Sequence, residues 1–231
     1  MSHTKNSVLR LKTLAVIPLV IGALLAGAPA HAAMSEDEAS LRSWFDEHGV
    51  NEPLQDRLIE KLETEGSYDA MRGGSPVKTK TKESAQAITT IETYADGSIS
   101  VSEVEKPAVA EPGTISPMSI TGCTTTGGSG WGRWSNCTVN ISNGTISLAF
   151  KATFERYAGA YGNILSVWGQ SSSAKYGSIT YPSLQVVAKT GNPARAYAAA
   201  RYTSWNGLQT QNPELWLAVS SSSHTSYTAG N

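Results

Sequence analysis

From Thr138 to Tyr157 the chain reads TVNISNGTISLAFKATFERY, two runs that alternate apolar and polar residues on either side of Asn143-Gly144. Alternation with a period of two gives a strand one apolar face, and Asn-Gly tolerates the positive φ of a tight turn, so the stretch is set up as a β-hairpin. Val139 and Ile141 then face the same way as Ile146, Leu148, Phe150 and Phe154. Further strands are predicted at NILSVWGQ, GSITYP, SLQVVAKT and ELWLAVS, separated by turn-rich pieces. NPARAYAAARYTSWNG is read as one more strand, with Ala196, Ala198, Ala200 and Tyr202 inward and Arg195, Tyr197 and Arg201 outward; a helix capped by Asn192 is the alternative. Residues 118–231 are therefore expected to form an all-β domain, an antiparallel sandwich or barrel.

What precedes this domain is of another kind. In SEDEASLRSWFDEHG, Ser35 and Glu38 have the spacing of a capping box, Leu41, Trp44 and Phe45 make an apolar stripe at helical spacing, and Gly49 stops the helix. A second helix starts at Asn51 with Pro53 in its first turn, buries Leu54, Leu58, Ile59 and Leu62, and ends at Gly66. MRGGSPVKTKTK, residues 71 to 82, reads as a polar loop, and AITTIETYADGSISVSEVE as a hairpin turning at Asp96-Gly97. The chain is thus mainly β, with a small α-helical hairpin and a β-hairpin over 33–105, a proline-rich linker over 106–117, and the all-β domain over 118–231.

The first 32 residues have a cationic start (Lys5, Arg10, Lys12), an apolar run and the small-residue stretch Ala30 to Ala32, the pattern of a secretory signal peptide cleaved near Ala32. Pro18 and Gly22 interrupt the apolar run, so stable membrane insertion is not expected. In an exported chain, two cysteines only 14 positions apart, Cys123 and Cys137, are expected to form a disulfide. Charge divides the chain as well. Residues 33–112 hold 17 acidic and 8 basic residues, a net charge of −9, and residues 113–231 hold 2 acidic and 7 basic, a net charge of +5. Contact between the two halves is one consequence such asymmetry would favour.

The densest chemistry lies in GCTTTGGSGWGRWSNC, residues 122 to 137, where a disulfide would hold Trp131, Arg133 and Trp134 on one short arc. Indole faces stack on sugar rings or other apolar ligands, and an arginine bonds anions. Trp131, Arg133 and Trp134, with Tyr197 and Arg201 on the outward face of a later strand, are the candidate ligand-binding residues. The competing reading makes the loop a clip, its tryptophans folded back over the core. Catalysis has thinner support. Glu155 and Glu214 are the only acids of the basic half, and a two-carboxylate hydrolase would need them to converge. His224 sits near the chain end in a serine-rich stretch, where order is typically poor, and no nucleophile-elbow pattern precedes any serine. No catalytic residue, metal or cofactor is therefore assigned, and a net charge of +5 is too dilute to point to nucleic acid.

The run of a signal peptide, a short acidic helical segment, the YADGSISV hairpin with EKP, then ISPMSITGC, NCTV and a Ser/Thr/Tyr-rich β region resembles uncharacterised secreted proteins of Gram-positive bacteria, actinobacteria in particular. The resemblance implies export and an all-β carboxyl half and carries over no catalytic residue. The functions expected are a secreted non-catalytic binding module for a cell-wall polymer, polysaccharide or other anionic ligand; a proprotein whose acidic segment masks the basic domain; and, last, a glycoside-type hydrolase.

Overall fold

In a computed structural model of the protein, residues 28–107 and 122–228 are described. Most of the expected signal segment, and the linker from residue 108 onward, lie outside the described residues. The chain is mainly β, as expected. Three helices, α1 (Ala28–Glu47), α2 (Glu52–Glu65) and α3 (Asp69–Arg72), precede an antiparallel strand system. One sheet runs in the order β1 (Lys78–Glu83), β2 (Ala87–Thr93), β3 (Ile99–Glu105), β5 (Trp131–Ser142), β6 (Ile146–Tyr157), β7 (Tyr161–Ala174) and β9 (Thr190–Gly191), with β4 (Thr124–Gly128) also paired to β5. The second has β11 (Thr210–Gln211), β10 (Ala194–Ser204), β12 (Glu214–Val219) and β13 (His224–Thr228) in order, with β8 (Gly177–Ala188) also on β10.

The core between the sheets follows from the alternation. Val139, Ile141, Leu148, Phe150, Ala152 and Phe154 of the first sheet pack against Ala194, Ala196, Ala198, Leu215, Leu217 and Val219 of the second. The alanines let the sheets approach closely. The Asn143-Gly144 turn forms as the sequence indicates: Gly144 has φ +90, and the Asn143 Oδ1 accepts the N–H groups of Thr145 and Ile146 at 3.1 and 2.8 Å. Asp96-Gly97 turns β2 into β3, with Gly97 at φ +86. The segment from Asn192 is a strand: Ala194, Ala196, Ala198, Ala200 and Tyr202 are buried, and Arg195 and Arg201 are exposed.

Three local expectations are corrected. Ser35 lies inside α1, not at its cap, because the alanine-rich stretch before it continues the helix to Ala28. Residues 78 to 83 are not loop but the exposed edge strand β1, whose alternating Lys and Thr suit an edge that must stay soluble. GSITYP and SLQVVAKT are largely one strand, β8. Pro182 is accommodated there because β8 pairs on one side only, with β10, and its register shifts between Ala199 and Arg201.

The helices lie over the first sheet. Leu41, Phe45, Leu58, Ile59 and Leu62 share a buried cluster with Ile99, Val101, Ile146 and Tyr202. At Gly144 a side chain would come within 2.6 Å of Leu41 and 2.7 Å of Trp44, so the turn sets the helix position. Strands on either side of the expected linker are direct neighbours: β3 pairs with β5 from Val101–Ser142 to Val104–Val139. Ser102 also donates to the Ser226 carbonyl, and Tyr68 donates to the Asn143 carbonyl. The acidic and basic parts therefore meet through a shared sheet and core. Ion pairs such as Lys61 with Asp69 and Asp96, or Arg133 with Glu155, stay within one part.

Candidate functional site

Residues 122 to 137 fold as a hairpin, β4 against the start of β5, with the Cys123–Cys137 disulfide closing its base. Both sulfurs are buried in the main core. Glu105 completes the closure: its carboxylate accepts the Cys123 N–H at 3.0 Å and the Thr138 N–H at 2.9 Å. Burial of this carboxyl opposes ionisation, but those two backbone donors outweigh it and hold the group below its usual range. A residue of the acidic half thus fixes both ends of the disulfide loop.

Between Trp134 and Cys137 the pairing of β5 with β6 shifts register, and Asn136 adopts φ 59. This bulge lets Trp134 and Cys137, an odd number of positions apart, both turn inward. The Trp134 ring stacks on Phe154 with centroids 5.6 Å apart and packs against His224 at 5.2 Å. It lies over Gly132, where a side chain would come within 2.9 Å of the indole. Trp131 remains 40% exposed at the start of the strand. Alternation would put the two tryptophans on opposite faces, yet both line one open cleft of about 260 Å³. The clip and the wall of the cleft are thus the same element.

Arg133, a candidate from the sequence, and its sheet neighbour Arg156 are engaged differently. Arg133 is spent on an ion pair with Glu155, at 2.8 Å from Nε and 2.5 Å from Nη2. Glu155, only 4% exposed, also accepts from Tyr157 at 3.0 Å and Asn163 at 3.2 Å, and these donors with Arg133 hold its carboxyl below the usual range against the cost of burial. Arg156 is different. Paired across from Gly132, it projects into the cleft with its guanidinium 5.1 Å from the Trp134 ring centroid. Its Nε is buried without a hydrogen-bond partner, and no ion pair to it occurs among the described residues. Burial pushes its pKa below the usual guanidinium value. Ser221 and Ala158 complete the wall.

The remaining candidates fall elsewhere. Tyr197 lies on the outward face of β10, where it stacks on Trp216 at 4.6 Å; Trp216 in turn stacks on Tyr227 at 6.2 Å. Rings stacked on each other have their faces covered, so this ladder braces the sheet and offers no open indole face. Arg201 is exposed, four positions further along β10. Neither lines the cleft. Glu155 and Glu214 stand on different sheets, Glu155 on the outer side of the first and Glu214 bonded to the Trp216 indole N–H at 2.8 Å on the second. They do not converge. His224 is no frayed end: it opens β13, is 6% exposed, and packs against both Trp134 and Phe154 with neither ring nitrogen bonded. A serine–histidine pair is therefore not formed there. No cluster of metal-ligating side chains occurs among the described residues, and no helix among them is long and apolar enough to cross a membrane.

No protein-family model matches the chain, and no curated protein or solved structure matches it. The functional reading accordingly rests on the cleft alone.

The sequence candidates Trp131 and Trp134 line one cleft, together with Arg156, which the sequence did not single out. The available signal was its place: in TFERY it stands one position beyond Glu155, so a partner for Glu155 on the outer face leaves Arg156 facing the other way.

Proposed function

We propose that the protein is an exported, non-catalytic binding module that holds an anionic polymer of the cell surface in the Trp131–Trp134–Arg156 cleft. One observation carries the reading: Arg156 is a guanidinium held over an indole in a cleft, with a buried Nε that has no partner. A carboxylate or phosphate oxygen forms a charge-assisted bond with the part of that guanidinium facing the cleft, where no protein carboxylate competes among the described residues. Trp131 supplies the exposed apolar surface on which a sugar ring packs. The signal-like segment and the disulfide fit an oxidising compartment outside the cell.

The binding reading is tested by affinity for a uronate polymer and for a neutral glucan. The wild type is expected to bind the uronate, with affinity that falls as salt rises, and Arg156→Gln to lose about tenfold or more. Equal retention of both polymers by wild type and variant would remove Arg156 from the account.

A further inference from the structure

A second cavity, about 440 Å³, opens at the other end of the sandwich. Ile146 at the start of β6 lines it, whereas Arg156 near the end of the same strand lines the cleft. Ten residues at about 3.3 Å each separate the two by roughly 33 Å. The cavity's apolar wall is made by Met71, Ile141, Ile146, Leu148 and Pro213, brought together from α3, the β5–β6 hairpin and the loop before β12. Its volume falls in the range of small-molecule sites.

Two features define what fits. The charged side chains in its lining are engaged: Arg72 bonds Glu65 at 2.7 Å and Ser67 at 2.9 Å, and Glu214 accepts the Trp216 indole N–H. Gln211, also in the lining, is not: its carboxamide oxygen and nitrogen are both shielded from water and neither has a hydrogen-bond partner. A carboxamide offers one acceptor and a pair of donors side by side, and leaving them unmet is costly. The group that satisfies both at once is another amide edge.

We propose that this cavity is a second ligand site, independent of the Arg156 cleft, and that it takes a small uncharged molecule with an apolar body and an amide-type donor–acceptor edge. The apolar body lies against Ile141, Ile146 and Leu148, and the amide edge meets Gln211 once its shielded carboxamide turns into the cavity.

The test uses the mature chain with three probes of similar size: benzamide, toluene and benzoate. Binding is followed by the NMR signals of the Met71 and Ile146 methyl groups. Benzamide is expected to shift these signals saturably, with affinity at least tenfold above toluene and benzoate. Gln211→Leu, which keeps the volume, is expected to bring benzamide down to the level of toluene, and Arg156→Gln to leave benzamide binding unchanged. The proposal is overturned if benzamide causes no saturable shift, if toluene or benzoate binds as well, or if Gln211→Leu retains full benzamide affinity. Since the two sites are separate, loss of polymer binding in Arg156→Gln with benzamide binding intact is also the result that keeps failure of one site distinct from failure of the other.

Discussion

At the scale of single residues, two arginines one strand apart show how a neighbour decides a charge's use. Arg133 neutralises the buried Glu155 carboxylate, so Arg133→Gln is expected to lower stability by about 1–2 kcal/mol, with little change in polymer affinity. Thermal unfolding beside a binding assay checks both halves of that statement. Arg156→Gln is expected to do the reverse. His224 gives the residue-scale pH dependence. Burial first, then the positive charge of Arg156, lower its pKa from 6.5 to about 4, and Glu83 and Lys106 act on it more weakly in opposite senses. Because the folded value is the depressed one, the unfolded chain takes up the proton first as pH falls. Stability is thus full above pH 6.5, declines between 6.5 and about 4, and levels off below, a loss on the order of 3 kcal/mol. In denaturant melts across that window the wild type is expected to lose stability relative to His224→Phe as pH falls; parallel curves would contradict the assignment.

At the scale of elements, the cystine hairpin joins stability to the site. Its covalent loop is worth roughly 3 kcal/mol by chain entropy, and Glu105 adds two hydrogen bonds to a charged acceptor at the same place. Glu105→Gln is expected to cost about 1–2 kcal/mol in the oxidised protein, measured by thermal melts. Elements also mark how far the sequence could be read. Strands with strict alternation, such as the two flanking Asn143-Gly144, were legible because the buried face repeats every second residue. So was the alanine strand, whose inward and outward sets fall where alternation places them. The bulge at Asn136 was not, since no side chain signals the backbone shift that turns both Trp134 and Cys137 inward. Nor was β1, because an edge strand exposed on both faces carries no apolar pattern. Alternation beside Glu155 could orient Arg156, but its freedom from an ion pair depends on the tertiary pairing of Arg133 with Glu155.

At the scale of the whole molecule, the acidic segment is part of the β-structure, not a passenger. Its β3 strand pairs with β5, its helices share a core with Ile146 and Tyr202, and its Glu105 closes the disulfide loop. A protease cut between residues 107 and 122 is therefore expected to leave the two fragments co-eluting and melting in a single transition, and separation of the fragments without denaturant would contradict this. The proposed ligand lies in the cleft that Trp131, Trp134 and Arg156 line, and the chain carries six tryptophans, each with its own indole N–H signal. The most direct measurement is a titration of the nitrogen-15-labelled protein with a short uronate oligosaccharide. The Trp131 and Trp134 indole signals are expected to shift together and saturably, those of Trp44, Trp168, Trp205 and Trp216 to stay in place, and Arg156→Gln to abolish the response. Shifts confined to Trp168 or Trp205, or a response that survives in Arg156→Gln, would contradict the account.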